Sequence, residues 1–370
     1  MTGEQTPFGL FGCSLDALDS PERVAMKHAF MNALEEGLVE AGIPRDPFDL
    51  VAGRLGAMDG VVMIGKLLIG SWLTPRPEPS DRGLISERRY ADFLDSGGCR
   101  MMSARLGEFV KDRVFPLRPL LVGVDHSLTG GVVRALAEGQ VGGDLALVVL
   151  DSHFDAIPAS VRKAAAAALP TGNGGARAPG SEEPESRGPG RPADAPDSYG
   201  CGNWIAETID AGLVPPGAVV VIGPSDAAPE RVDDTPGELD AYRRAYRALE
   251  KRGVRIVGKN ALRESGASAA LAALGPLSQK QVYVSIDADT GAGAGMGAVR
   301  FLDRIGLAPG ELMELAEAIS GWVADSGAAL AGVDLMEIDT HLADIPGGTD
   351  RTVEVCMGMV QKLIGTVLAD

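Results

Sequence analysis

Seven short, largely apolar runs set the rhythm of this chain. They cover residues 8–13, 120–124, 145–150, 218–223, 254–257, 281–286 and 329–337. Near-continuous Val, Ile and Leu over four to eight positions mark strands buried on both faces, as in a covered parallel sheet. Elsewhere apolar residues recur at three- and four-residue spacing, the period of a helix. That spacing predicts helices over 20–39, 87–114, 132–138, 204–211, 236–252, 268–274, 308–324 and 349–367. Ser20 before Pro21 and Glu22, and Ser268 before its segment, fit helix caps. Residues 59–72 fit a helix or a loop packed on the core, and Pro75, Pro77 and Pro79 mark a loop. From about residue 117 onward strand and helix alternate. The predicted fold class is therefore α/β, a three-layer αβα arrangement with a mostly parallel sheet.

Residues 170–200 break the pattern. Thirteen of these 31 positions are Gly or Pro and most others are small or charged, which predicts a flexible surface insertion. No other boundary stands out, so residues 1–370 are expected to form one domain that carries this insertion. Hydrophobic residues make up 45% of the chain, enough for a sizeable core. With 51 acidic against 34 basic residues, the net charge of −17 argues against nucleic-acid and anionic-membrane partners. The four cysteines, Cys13, Cys99, Cys201 and Cys356, form no CxxC pair and suggest neither a disulfide framework nor a zinc knuckle. The N-terminus has no basic leader, and Lys66 interrupts the longest apolar stretch, so a cytoplasmic location is expected.

The chemistry lies where the apolar runs stop. One ends in Asp125-His126, one in Asp151-Ser152-His153-Phe154-Asp155, one in Asp287-Ala288-Asp289 and one in Glu337. Alternate residues of an extended chain share a face, so Asp151, His153 and Asp155 project together. A single Asp at a strand end is usually a turn residue, and a single His is usually a satisfied polar group. Four such endings are different, because ligands of parallel sheets bind beyond the carboxyl ends of strands. Carboxylates gathered there are costly to bury without a cation. Six donors, His126, Asp151, His153, Asp155, Asp287 and Asp289, exceed the needs of one transition metal. Two divalent ions about 3.5–4 Å apart are a recurrent hydrolytic device. Mixed carboxylate and imidazole ligands favour Mn²⁺, with Ni²⁺, Fe²⁺ and Zn²⁺ compatible.

Val124-Asp125-His126-Ser127, Asp151-Ser152-His153-Phe154-Asp155 and Ser285-Ile286-Asp287-Ala288-Asp289 resemble, in order and spacing, the three metal-binding signatures of the ureohydrolases. That family includes arginases, agmatinases, guanidinobutyrases and formimidoylglutamases. The resemblance runs from about residue 117 to the C-terminus. It implies an arginase-like fold and hydrolysis of a C–N bond in a small linear amidine or guanidino compound. It also implies that Asp151 and Asp287 bridge two metals, that His126 and Asp155 complete one sphere, and that His153 and Asp289 complete the other. A hydroxide between the metals would be the nucleophile, oriented by Asp155. Glu337 matches the glutamate that pairs with the substrate's guanidinium or amidinium group. By the same resemblance the protein is expected to be a homo-oligomer, a trimer or hexamer.

Three departures bear on specificity. The third signature continues as Thr290-Gly291-Ala292-Gly293-Ala294-Gly295-Met296-Gly297, where the family usually has Asp-Pro and a Pro/Gly/Thr-rich substrate loop. Cys201-Gly202 stands where a proton-shuttling His-Gly pair is expected, so Cys201 is a candidate acid/base residue and His341 a candidate substitute. Ala156-Ile157-Pro158 follows the second signature in place of the arginase contacts to an α-amino acid, so recognition of arginine is not supported. These departures leave an alternative, a metal-binding homologue that acts as a ligand-binding or assembly protein. A deacetylase of the same general fold would need tandem histidines, which this chain lacks.

Overall fold

Every residue of the strands β1 (Phe8–Cys13), β4 (Leu145–Leu150) and β5 (Val219–Ile222) is buried. This is why their sequences run apolar without alternation. Each fully buried Val or Leu contributes about 1.5–3 kcal/mol, so these runs fix the middle of the sheet. The other strands are β2 (Val61–Lys66), β3 (Arg118–Gly123), β6 (Arg255–Val257), β7 (Gln281–Asp287) and β8 (Ala329–Met336). The computed structural model describes residues 6–40, 42–158, 160–161, 199–225, 237–276, 278–293, 295–303, 305–343 and 349–369.

The eight strands form one sheet in the order β2-β1-β3-β8-β7-β4-β5-β6, and every pairing is parallel. Helices flank it, as the alternating pattern predicts. Those at Pro21–Glu35 and Pro47–Leu55 start on Ser20 and Asp46, whose side chains accept backbone N–H groups of the first turn. The helices Pro309–Ser326 and Thr352–Ala369 pack on one another. One consequence of the order matters most. β3, β8, β7 and β4 are consecutive neighbours, so the four polar endings read from the sequence meet at one stretch of the sheet edge.

Several expectations need correction. Residues 61–66 form an edge strand, where a helix or loop was expected. Val61, Val62 and Ile64 are β-branched and pack better on a pleat than in a helix. Gly65 takes φ +106 where the β1–β2 register shifts, a conformation open to glycine. The helix predicted from Ser268 begins at Ala267 with Gly266 as its cap, and Ser268 instead donates to the Ser265 carbonyl. A further helix, Lys259–Ser265, is too short to carry a readable period. Residues 170–198 of the expected insertion lie outside the described residues. Its last part does not behave as insertion, since Tyr199 is buried and donates its hydroxyl to the Ser127 carbonyl. Among the described residues, no helix is long and apolar enough to cross a membrane.

Candidate metal centre

One local device recurs at the strand ends. Asp125, Asp151 and Asp287 each turn one carboxylate oxygen back onto the backbone N–H two residues ahead. The distances are 3.1 Å to Ser127, 2.6 Å to His153 and 2.9 Å to Asp289. An aspartate that satisfies its own turn in this way leaves its second oxygen to point outward. Asp289 does the same across the sheet, with Oδ1 accepting the Ser152 N–H at 3.0 Å. Gly223 makes room for this packing. It has φ +109, and a Cβ there would sit 2.8 Å from the Asp151 carbonyl oxygen.

His126 lies at the centre and is fully buried. Its Nδ1 is 3.1 Å from Asp151 Oδ2, 3.1 Å from Asp155 Oδ2 and 3.0 Å from Asp287 Oδ2. Its Nε2 is 2.8 Å from Ser285 Oγ, and that hydroxyl donates to Asp334 Oδ1 at 2.6 Å. Asp334 also accepts the hydroxyls of Thr129 and Tyr283 on Oδ2, at 2.7 and 2.9 Å. Ser285 spends its proton on Asp334, so it can only accept from His126 Nε2–H. The neutral ring then carries no proton on Nδ1. A bare lone pair faces three carboxylate oxygens, and only a cation or an additional proton can reconcile them. His126 Nδ1, Asp151 Oδ2 and Asp289 Oδ2 are indeed buried without hydrogen-bond partners.

His153 completes the opposite side. Its Nδ1 is 2.7 Å from Asp289 Oδ2 and 3.6 Å from Asp151 Oδ1, and its ring meets the edge of Phe301 at 6.1 Å. Behind it, the buried Lys259 ammonium donates to Ser152 Oγ and, at 2.7 Å, to Asp303 Oδ2. Among the described residues, three sets of metal-competent atoms each lie within 4.8 Å of one another. They are His126/Asp151/Asp287, Asp151/His153/Asp289 and Asp287/Asp289/Glu337. Asp151 is common to both imidazole-containing sets. Asp155 stands beside the first, where the Trp204 Nε1–H donates to its Oδ2 at 3.1 Å. A cavity of about 70 Å³ opens over these groups, lined by His153, Asp155, Cys201, Asp287, Phe301 and Glu337.

The electrostatics fit the same picture. Burial, then repulsion from Asp155 and Asp289, pushes the Asp151 carboxyl up to about 6. Burial, then Asp289 and Glu337, raises Asp287 well above the carboxylate range. Burial also raises Glu337, to about 8, against the opposing pull of Arg300. Burial disfavours charge on His126, but its carboxylate partners outweigh this and raise it well above an ordinary imidazole. Such a cluster holds protons only because bound positive charge is needed there, and divalent cations supply the same charge.

All six donors predicted from the sequence, together with Glu337 and Cys201, therefore gather at one edge. His341 does not. Its Nε2 is 2.9 Å from the Pro75 carbonyl oxygen and its ring packs on Phe30, outside the cavity lining. Burial lowers its pKa. Cys201 does line the cavity, and burial followed by Asp125, Glu337 and Asp155 raises its thiol well above the usual value. Sequence reasoning missed Asp334, Ser285, Trp204 and Arg300. Asp334 had a signal, since a carboxylate within a buried apolar strand requires partners. Arg300 is buried, with Nη1 donating to Asp125 Oδ2 at 2.8 Å and lying 3.5 Å from Glu337 Oε1.

An all-parallel sheet with metal-competent carboxylates and imidazoles along its C-terminal edge defines a class of α/β metal proteins, and comparison narrows that class. The Arginase family model matches residues 47–365, so the chain belongs to the arginase family. The match begins well before residue 117, where the motif resemblance starts. Proclavaminate amidino hydrolase from Streptomyces clavuligerus has a similar structure, with 21% identity, TM-score 0.53, and coverage of 99% of this chain and 93% of that one. Formimidoylglutamase from Bacillus subtilis shows 14% identity and TM-score 0.55 over 100% and 89% of the two chains. Arginase from Bacillus caldovelox shows 15% identity and TM-score 0.54 over 97% and 98%. At these identities the likeness establishes the fold. A sequence search of proteins with curated function finds no significant match.

Proposed function

We infer that the protein is a binuclear metal-dependent hydrolase that cleaves a C–N bond in a linear amidine or guanidino compound. The observation that carries this reading is the bare Nδ1 of His126, held 3.0–3.1 Å from three carboxylate oxygens while Nε2 is tied to Ser285. In this reading Asp151, Asp287, His126 and Asp155 would hold one ion, and Asp151, Asp287, His153 and Asp289 would hold the other. The donor set suits Mn²⁺ best. Bound divalent ions lower the pKa of a water molecule and stabilise negative charge developing at a trigonal carbon.

The chain's own groups do the rest. Asp155, fixed by Trp204, orients the attacking water and takes its proton. Glu337 faces the cavity and orients the nitrogens of the head group. As the new C–O bond forms, the C–N bond breaks and the proton held by Asp155 passes to the departing amine. The small cavity fits a head group of a few heavy atoms, with Phe301 and His153 closing one side. A cytoplasmic homo-oligomer, a trimer or hexamer, belongs to the same family reading, and light scattering tests the assembly.

The test of function is Mn²⁺-reconstituted protein assayed against a panel of guanidino and amidino compounds, with urea and amine release as readouts. Release from at least one member is expected. Silence across the panel with two metals demonstrably bound would refute the hydrolase reading.

A further inference from the structure

Glu337 is the carboxylate that the proposed function gives to the substrate's head group, yet it already has a guanidinium beside it. Arg300 Nη1 lies 3.5 Å from Glu337 Oε1. The same side chain reaches Asp125 Oδ2 at 2.8 Å and, through Nε, Asp16 Oδ1 at 3.4 Å. Its side chain is 1% exposed, so this is a fixed internal group. The backbone fastens it further. Arg300 N–H donates to the Glu337 carbonyl at 2.9 Å, Asp339 N–H donates to the Ala298 carbonyl at 2.9 Å, and Val299 bridges Ile338 antiparallel. Arg23, itself paired with Asp339, donates to the Arg300 carbonyl. Arg300 and Glu337 thus form one rigid unit at the cavity wall, next to the lining residue Phe301.

We propose that Arg300 is a specificity-determining residue. It pre-occupies Glu337, so the site takes a substrate that is uncharged at its trigonal carbon and discriminates against guanidinium cations. The proposal rests on the C–N hydrolase reading and narrows its substrate class to weakly basic members, such as N-acylated guanidines or amidines. A guanidinium cation entering beside Glu337 would meet a carboxylate already shared with one guanidinium, and would bring a second positive charge against it. A neutral head group meets no such repulsion. An electron-withdrawing acyl group lowers the basicity of an amidine and makes its carbon more electrophilic, so the chemistry suits such a substrate.

The test uses guanidinium and urea, a cation and its neutral isostere, as binding probes on the Mn²⁺-loaded protein by ligand-observed NMR titration. Wild-type protein is expected to bind guanidinium no more tightly than urea, and Glu337→Gln, which leaves the Arg300 charge less opposed, is expected to move their affinity ratio further toward urea. Arg300→Gln is expected to shift the ratio toward guanidinium by about tenfold, while Arg300→Lys, which keeps the charge, is expected to retain the wild-type ratio. A wild-type preference for guanidinium that Glu337→Gln abolishes would overturn the proposal. That arm decides the matter even if Arg300→Gln does not fold. The hydrolase reading fails separately: urea bound at least as tightly as guanidinium, but no turnover of any panel member, sinks the reaction and leaves the selectivity standing. Binding of neither probe overturns both.

Discussion

Replacing Ser285 with Ala perturbs the centre through a single hydrogen bond. Ser285 joins His126 Nε2 to Asp334 Oδ1 over 2.8 and 2.6 Å, and all three side chains are fully buried. Removing the hydroxyl leaves the Nε2–H without a partner in a site closed to water, at a cost of about 1–3 kcal/mol. The ring can escape that cost by moving its proton to Nδ1, which then donates to a carboxylate and is lost as a ligand. Metal affinity at the site containing His126 should therefore fall about 10- to 100-fold, or about 1.4–2.8 kcal/mol. The site containing His153 has no ligand in this chain of bonds and shares only Asp151 and Asp287 with the His126 site, so it should weaken far less. Stepwise Mn²⁺ calorimetry on the Ser285→Ala protein separates the two sites, and ¹⁵N imidazole shifts of the Zn²⁺-loaded protein report which His126 nitrogen carries the proton. Equal loss at both sites would mean a general loss of structure. Unchanged affinity with an unchanged tautomer would refute the argument that the Asp334–Ser285 relay bares Nδ1.

Asp151→Ala and Asp287→Ala should each release both metals, measured by elemental analysis after dialysis; retention of one full equivalent contradicts the sharing assignment. In metal-free protein the folded-state pKa values of Asp151 and Glu337, about 6 and about 8, lie above the ordinary 3.8 and 4.5. Their protonation stabilises the fold below about pH 4, and that contribution is lost as pH rises through 6 and then 8, with about 3 kcal/mol from Asp151 alone. The Tm of chelator-treated protein should therefore fall between pH 4 and 8, and Mn²⁺ should remove that fall; a metal-free Tm that rises across this window contradicts the charge assignment. Cys201→Ala should keep both metals and lose less than about tenfold in kcat, since the thiol belongs to none of the metal-competent sets. A loss of about 10²-fold or more would instead assign the thiol a proton-transfer role.

The donors were legible because strand ends in a parallel sheet expose alternate residues, and Asp-x-His-x-Asp and Asp-x-Asp carry that period in plain sight. What periodicity could not supply was adjacency. Nothing local to residues 118–123 or 329–336 says that these strands pair, yet the Leu120–Val333 register is what places Glu337 beside Asp125. The supporting groups were hidden for the same reason. Ser285, Trp204 and Arg300 act on partners 37 or more residues away, through contacts that exist only after the sheet is assembled. Asp334 was the exception, a charge in the middle of an apolar run, and its three hydroxyl donors answer the question that such a residue poses. The edge strand Val61–Lys66 was obscured by a continuous apolar stretch, which fits strand and helix alike until β-branching is weighed.

Among the described residues, two that are not glycine hold a positive φ, Asp155 at 49° and Glu337 at 64°. Each conformation costs about 1–3 kcal/mol and persists only where its surroundings over-determine it. Both are tied on the backbone and on the side chain. Ile205 N–H donates to the Asp155 carbonyl at 3.1 Å while Trp204 holds its Oδ2. Arg300 N–H donates to the Glu337 carbonyl at 2.9 Å while the guanidinium lies against its Oε1. Glycine would take either position without strain and without burying a carboxylate. Stability therefore gives no reason for an acidic residue at these two points, whereas a cavity that needs one carboxylate beside His126 and another across from it does. The strain falls on the two carboxylates to which the proposed reaction assigns proton transfer and substrate orientation. Asp151 and Asp287, which need only hold charge, sit at strand ends satisfied by their own turns.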